Sequence, residues 1–274
     1  MESRTGVNPY TFGMVGASDL HGGLSGTDKD NYFGAMGNNR ERARNQLTAF
    51  STLMGNYTSV VSPGGITGVW AEENTREAIF AALKRKETFA TSGTRMQVRF
   101  FAGAFEDDIM ESNDWIERAY REGAAMGSAL SVNEGESLRF AVQAVCDPQG
   151  ANLDRIQIVK VWYENGESRE KVYDVAWSGE RSPGPNGKVP AVGNTVNADA
   201  ATYTNEIGAP MLSAVWEDPE FNPEQSAVYY ARVLEIPTPR WTTYLAAKHE
   251  LPLSENAPAS IQERAWTSPI FYKP

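Results

Sequence analysis

Leu153-Asp-Arg-Ile-Gln-Ile-Val-Lys-Val-Trp-Tyr163, then Glu164-Asn-Gly-Glu167, then a second run from Ser168 to Trp177, decides how the larger part of this chain is read. Ile156, Ile158 and Val161 recur at the two-residue period of a strand, with Trp162 beside them. Asn165-Gly166 is the residue pair that a tight hairpin turn favours, because both central positions need positive φ. The stretch therefore predicts two antiparallel strands. Ser137-Leu-Arg-Phe-Ala-Val-Gln-Ala-Val145 alternates strictly before it. Runs at residues 202–207, 211–216 and 227–236 read as further strands, the last ended by Pro237-Thr-Pro239. The Pro- and Gly-rich tract 182–193 is a loop, and the aromatic tail 263–272 is expected to dock back on the body. Many strands with turn signals between them predict a mainly antiparallel β-sandwich over residues 94–274.

Upstream the pattern is different. Residues 66–70 read as a short strand and residues 73–86 as a helix. Asn74 or Thr75 can cap that helix, Lys84, Arg85 and Lys86 suit its C-terminal end, and Ile79, Phe80 and Leu83 are expected to form its buried stripe. Residues 40–50 read as a surface helix carrying Arg40, Arg42 and Arg44, a cluster that could attract phosphate. Thr88-Phe-Ala-Thr-Ser-Gly93 is a strand and a glycine turn, and residues 94–104 alternate through Met96, Val98 and Phe100. Residues 1–93 are therefore predicted to be α/β.

The stretch with the most chemistry is Phe12-Gly-Met-Val-Gly-Ala-Ser-Asp-Leu-His21. It reads as a buried strand ending at a polar tip, with Phe12, Met14 and Val15 as its apolar body and Gly13 and Gly16 allowing close packing. In an extended chain Asp19 and His21 point to one side. A carboxylate and an imidazole converging there suit a divalent metal or an acid–base pair. They equally suit a turn in which Asp19 caps the backbone.

Composition narrows the partners. There are 25 basic and 35 acidic residues, a formal charge of −10, which argues against nucleic acid and against an anionic membrane surface. No run is long enough to span a membrane. The first residues have no apolar core of the kind a leader needs. The composition predicts a soluble chain and leaves the compartment open, including export of the parent protein to the periplasm. The single Cys146 excludes an internal disulfide and sits in an apolar run that predicts a buried, inert thiol. With only His21 and His249, a self-contained multi-metal site is not expected. Asp28-Lys-Asp-Asn31 lacks calcium-loop spacing and reads as a solvated turn. Glu72, Glu73 and Arg76 read as a charged helix start, and Arg232, Glu235 and Arg240 as structural ion pairs.

Four stretches together resemble a known family: Gly16-Ala-Ser-Asp-Leu-His21; Val69-Trp-Ala-Glu-Glu-Asn-Thr-Arg-Glu-Ala-Ile-Phe80 with Arg85-Lys-Glu-Thr-Phe-Ala-Thr-Ser-Gly93; Leu153-Asp-Arg-Ile-Gln-Ile-Val-Lys160; and Tyr229-Tyr-Ala-Arg-Val-Leu-Glu-Ile-Pro-Thr-Pro-Arg-Trp241 with the tail 263–272. They resemble the C-terminal part of a large bacterial family of proteins with a domain of unknown function, DUF3604. That family is similar to the PHP (polymerase and histidinol phosphatase) metallophosphoesterases. The resemblance implies that residues 1–93 are the end of a distorted PHP-like barrel. It implies that Asp19 and His21 match the late Asp-x-His that closes the family's metal site, with Leu20 larger and more apolar than the usual middle residue. The implied cofactor is a divalent metal (Zn, Mn or Fe), held weakly by two ligands, and the implied substrate is a phosphate ester. The remaining donors would lie in an N-terminal segment of the same protein, so the chain is expected to be inactive without it. The other reading is a non-catalytic β-sandwich binding module with Trp162, Tyr163, Trp177 and Trp216 as stacking rings.

Overall fold

A computed structural model describes residues 5–18, 26, 28–32, 40–47, 61–133, 135–255 and 257–274. The stretch read first folds as the hairpin its sequence predicts. Strands β7 (Leu153–Glu164) and β8 (Glu167–Trp177) are antiparallel and joined at Asn165 and Gly166, whose φ values are 52° and 87°. β7 lies along the whole of β10 (Ala227–Glu235). The other side of β10 is shared by β13 (Arg264–Thr267) and β14 (Ile270–Tyr272), so the tail forms strands of the sheet itself. β13 pairs with β2 (Thr88–Thr91), and β2 with β1 (Ile66–Val69), all antiparallel. β14 also pairs, in parallel, with the short β5 (Ala129–Leu130).

A second antiparallel sheet has the order β4 (Gly123–Ala125), β3 (Gln97–Gly103), β6 (Arg139–Val145), β9 (Met211–Glu217). The two sheets face each other across one core. Phe100, Phe140 and Val142 come from the second sheet, and Ile156, Ile158, Tyr229 and Val233 from the first. The Phe140 and Tyr229 rings meet across the layers at 4.5 Å. A small pair, β11 (Thr238–Pro239) and β12 (Ser260–Ile261), closes one end. The architecture is mostly antiparallel β, with few helices and no closed barrel among the described residues.

Four α-helices of eight residues or more decorate it among the described residues. α1 (Arg40–Leu47) packs on α4 (Trp241–His249) through Ala43, Leu47, Trp241 and Leu245, with the Tyr32 ring edge-on to Trp241 at 5.1 Å. α2 (Arg76–Arg85) is capped by Thr75, whose hydroxyl accepts from the Ala78 N–H at 3.3 Å. Its expected apolar stripe is not buried: Phe80 is 61% exposed and Leu83 is also exposed, while Ala82 is buried. Ala82 is the helix's buried contact, and the Lys84 ammonium lies over the Phe80 ring at 5.9 Å. α3 (Trp115–Glu122), in a tract expected to be all β, buries Trp115 and Ala119, one helical turn apart. The expected strand at 202–207 is only an isolated bridge between Asn197 and Thr202, beside Ala201 at φ 50° and before Gly208 at φ 82°. Those two left-handed positions turn the chain away from a sheet. No helix among the described residues is long and apolar enough to cross a membrane.

Gly68 on β1 is covered by the Phe89 ring, and a Cβ there would sit 2.1 Å from Phe89 Cζ. Gly68→Ala is therefore expected to cost about 1–3 kcal/mol through forced repacking. Thermal unfolding against wild type measures this.

Candidate functional site

Residues 11–18 run extended over the edge of the first sheet, held by side-chain hydroxyls in place of a strand ladder. Met14 N–H donates to Ser268 Oγ at 2.8 Å, and Thr88 Oγ1 donates to the Met14 carbonyl at 2.7 Å. Gly16 N–H donates to Thr67 Oγ1 at 3.0 Å, and the same hydroxyl donates back to the Gly16 carbonyl at 2.9 Å. Gly16 permits this approach, since a Cβ there would lie 2.4 Å from the Ile66 carbonyl oxygen. The stretch is not the buried strand the sequence predicts. Phe12 is 63% exposed and Val15 is exposed as well, because this segment lies outside the ladder, tied down by the hydroxyls, by Lys86 Nζ on the Thr11 carbonyl and by Gly65 N–H on the Ala17 carbonyl.

The segment ends at a cleft of about 710 Å³, walled by residues 14–18 and by Ser62, Thr91, Ser92, Tyr230 and Trp266. Thr91 donates to the Thr94 carbonyl at 2.6 Å and Ser92 to the Glu263 carboxylate, so both hydroxyls are fixed. Burial, above all, raises the pKa of the Tyr230 phenol. Tyr230 and Arg232 alternate on one face of β10, and Arg232 sits opposite Trp266 on β13. Arg232 is half-buried and held from behind: its Nε donates to Gln157 Oε1 at 2.8 Å, and Gln157 Nε2 donates to Asp174 Oδ1 at 2.6 Å. Among the described residues only the Nε of Arg232 is hydrogen-bonded, and Arg232 follows the cleft-lining Tyr230 by two residues on the same face of β10.

Asp19 and His21 lie outside the described residues, as does Leu20. Ser18, the residue before Asp19, lines the cleft. Among the described residues no group of three or more His, Cys, Asp or Glu side chains could hold a metal ion. Of the arginines at 40–44, Arg44 is exposed on α1, and the side chains of Arg40 and Arg42 are not described. Glu72 borders a separate cleft with Trp70, Glu87, Arg99 and Tyr120, where the Tyr120 hydroxyl donates to Glu87 and its pKa is pushed up to about 12, by burial first. Cys146 is half-buried rather than buried, and burial raises its thiol pKa.

Arg232, Glu235 and Arg240, expected to form ion pairs, have different surroundings. Arg240 donates to the Val61 carbonyl at 2.7 Å, and Arg232 joins Gln157. Glu235 has neither carboxylate oxygen hydrogen-bonded among the described residues, although it is 1% exposed. Its signal was present in the sequence: Ala227, Tyr229, Ala231 and Val233 face inward at period two, and the same phase carries Glu235 inward.

Fold and cleft together define a two-layer β protein with a polar-edged cleft at the sheet margin. The chain belongs to the family described as "Protein of unknown function (DUF3604)", whose model matches residues 1–274. No curated protein and no solved structure matches it.

Proposed function

We propose that this chain is the C-terminal portion of a metal-dependent hydrolase of phosphate esters, similar to the PHP enzymes. In this reading residues 1–93 end a PHP-like α/β body and residues 94–274 form its β-rich companion. Asp19 and His21 donate to a divalent ion, Zn²⁺, Mn²⁺ or Fe, and the further donors come from an N-terminal segment of the same protein. The observation that carries the reading is the cleft whose wall, residues 14–18, leads in sequence directly to Asp19. The donor chemistry suits a borderline divalent ion, yet one carboxylate and one imidazole fall short of the donors such an ion needs. When bound, the ion would lower the pKa of a water and polarise a phosphoryl oxygen.

The chain's own part is positioning. Arg232, oriented through Gln157 and Asp174, would grip a phosphate oxygen pair in fork geometry with its outer nitrogens. Trp266 and Tyr230 form an aromatic wall for the ester's organic part. An acidic chain leaves nucleic acid and membranes outside the substrate range.

Titration of the chain with Mn²⁺ or Zn²⁺ tests this reading. Weak binding is expected, and Asp19→Ala or His21→Ala should abolish it. Tight stoichiometric binding that survives both substitutions would sink the assignment.

A binding module is the second reading, and one observation favours it. An apolar groove of about 640 Å³ joins Tyr10, Phe12, Trp162 and Tyr163, with Tyr163 67% exposed. Trp177 and Trp216 do not belong to it: Trp177 Nε1 donates to the Arg181 carbonyl at 2.7 Å, and Trp216 packs on Phe140 and Tyr173. A glycan array without a hit counts against this reading.

A further inference from the structure

A second cleft, of about 730 Å³, opens over the far end of β10. Here the register of β7 on β10 shifts between Leu234 and Glu235, with Asp154 of β7 as the extra residue, and β10 keeps its phase so that Glu235 stays inward. Glu235 forms part of the cleft's lining, with its carboxyl unpartnered and 1% exposed. A buried carboxyl without hydrogen bonds is costly and is rarely kept without a reason. The Thr94 hydroxyl is near enough to favour the carboxylate form but outside hydrogen-bond geometry, and it too has no partner among the described residues. Asp147, buried beside it, is held by the backbone: its oxygens accept from Arg95 N–H at 2.8 Å and from Gln149 N–H at 3.0 Å. The nearest ammonium, Lys29, is committed elsewhere, to Glu263 at 3.1 Å and to the Thr238 hydroxyl. The phenols of Tyr203 and Tyr244 complete the lining.

The floor thus holds oxygen atoms that nothing in the chain satisfies. Both Glu235 oxygens and the Thr94 hydroxyl lack partners among the described residues, the Asp147 carboxylate lies in the same lining, and Lys29, Arg95 and Lys248 border the cleft without a hydrogen bond to Glu235. We propose that this cleft is a second ligand site, distinct from the cleft at residues 14–18, and that it takes a small polar molecule through a primary ammonium group bound by Glu235 and Asp147. A primary ammonium brings three donors and one positive charge, which matches this set. A bare metal ion is a poorer match, since no group of three or more His, Cys, Asp or Glu side chains among the described residues could hold one. The site does not depend on the hydrolase reading.

Capture of the ammonium has a proton signature. Burial first, then the Glu263 and Asp147 carboxylates, push the Glu235 pKa up to about 8, against the opposing pull of Thr94 and Lys29. Tyr203 and Cys146 face the same acids, and each has its own pKa raised. The empty site therefore holds a neutral Glu235 at pH 6.5, and an arriving ammonium displaces that proton to the solvent.

The test is calorimetric titration of the full chain with ethanolamine at pH 6.5 in PIPES and in ACES, at constant ionic strength. The expected result is saturable binding, with a buffer-dependent enthalpy that reports proton release, and at least tenfold weaker binding by Glu235→Gln. Choline, which has no N–H donors, should not compete. If Glu235→Gln does not fold, the infrared difference spectrum of wild type decides the question: ethanolamine should remove a protonated-carboxyl C=O band. Ethanolamine binding no better than NaCl, equal binding by a folded Glu235→Gln, displacement by choline, or an unchanged carboxyl band would each overturn the proposal. Saturable Mn²⁺ binding lost in Glu235→Gln would replace it with a metal site.

Discussion

Lys160→Met is expected to cost about 3–5 kcal/mol, the range for breaking a buried ion pair from one side. Lys160 on β7 of the first sheet and Asp218, just after β9 of the second, are both buried, with Nζ 2.6 Å from Asp218 Oδ2. The ammonium also donates to the Glu220 carbonyl at 2.7 Å, and the Tyr229 hydroxyl donates to the same Asp218 oxygen at 2.8 Å. Burial and the Asp218 charge drive the Tyr229 phenol far above its ordinary pKa, so it stays a donor at any working pH. Methionine replaces the aliphatic stem of Lys160 but leaves a buried carboxylate with neutral donors alone, the Tyr229 hydroxyl and the Glu220 N–H. The double variant Lys160→Met/Asp218→Asn removes both charges and should recover most of the loss, because the cost lies in the orphaned charge rather than in the missing pair. Urea unfolding of the four proteins gives the coupling. Single and double variants equally destabilised would mean that packing, not charge, carries the effect.

That cluster also shows why some of the fold was legible in the sequence and some was not. The β7–β8 hairpin followed from Asn165-Gly166 and flanking alternation, both local signals, and the structure has it. α2 followed from its cap and its end charges. Lys160, however, shares the two-residue phase of Ile156 and Ile158, so the pattern points a charge inward without showing what pairs with it. The partner, Asp218, lies 58 residues later. Long-range partners of this kind leave no periodic trace. The exposed Phe80 and Phe12 failed for a related reason: an apolar stripe shows what could be buried, and the tertiary neighbours decide whether it is. α3 and α4 were missed although Trp115 with Ala119 and Trp241 with Leu245 carry the four-residue spacing, because the surrounding strand signals set the reading of the whole tract. In the candidate site, the cleft wall at 14–18 came from a motif, whereas the Arg232–Gln157–Asp174 relay joins the β7–β8 hairpin to β10, with Arg232 lying 75 residues beyond Gln157.

The second large effect is a pH dependence of stability that Glu235 should impose. Its carboxyl, with an ordinary pKa of 4.5, is pushed up to about 8 in the folded chain, so the folded state holds a proton that the unfolded state releases. Below about pH 4.5 both states are protonated and the favourable term is fully present. Between there and about pH 8 the unfolded state gains from ionisation and the folded state does not, so stability falls as pH rises. Each unit of that window is worth about 1.4 kcal/mol at most, which makes the cumulative loss several kcal/mol. Above pH 8 both states are ionised and the slope ends. The lowered carboxylates Asp114, Glu122, Glu136 and Glu220 are exposed and act with the opposite sign, in the acid range beneath this window. Comparison with Glu235→Gln removes them and leaves the Glu235 term alone. The difference between wild type and Glu235→Gln, measured by urea unfolding from pH 5 to 8 in amine-free buffer, should shrink steadily or reverse in the variant's favour. Parallel curves across that range would mean that Glu235 is already ionised in the fold, and that a cation partner sits against it.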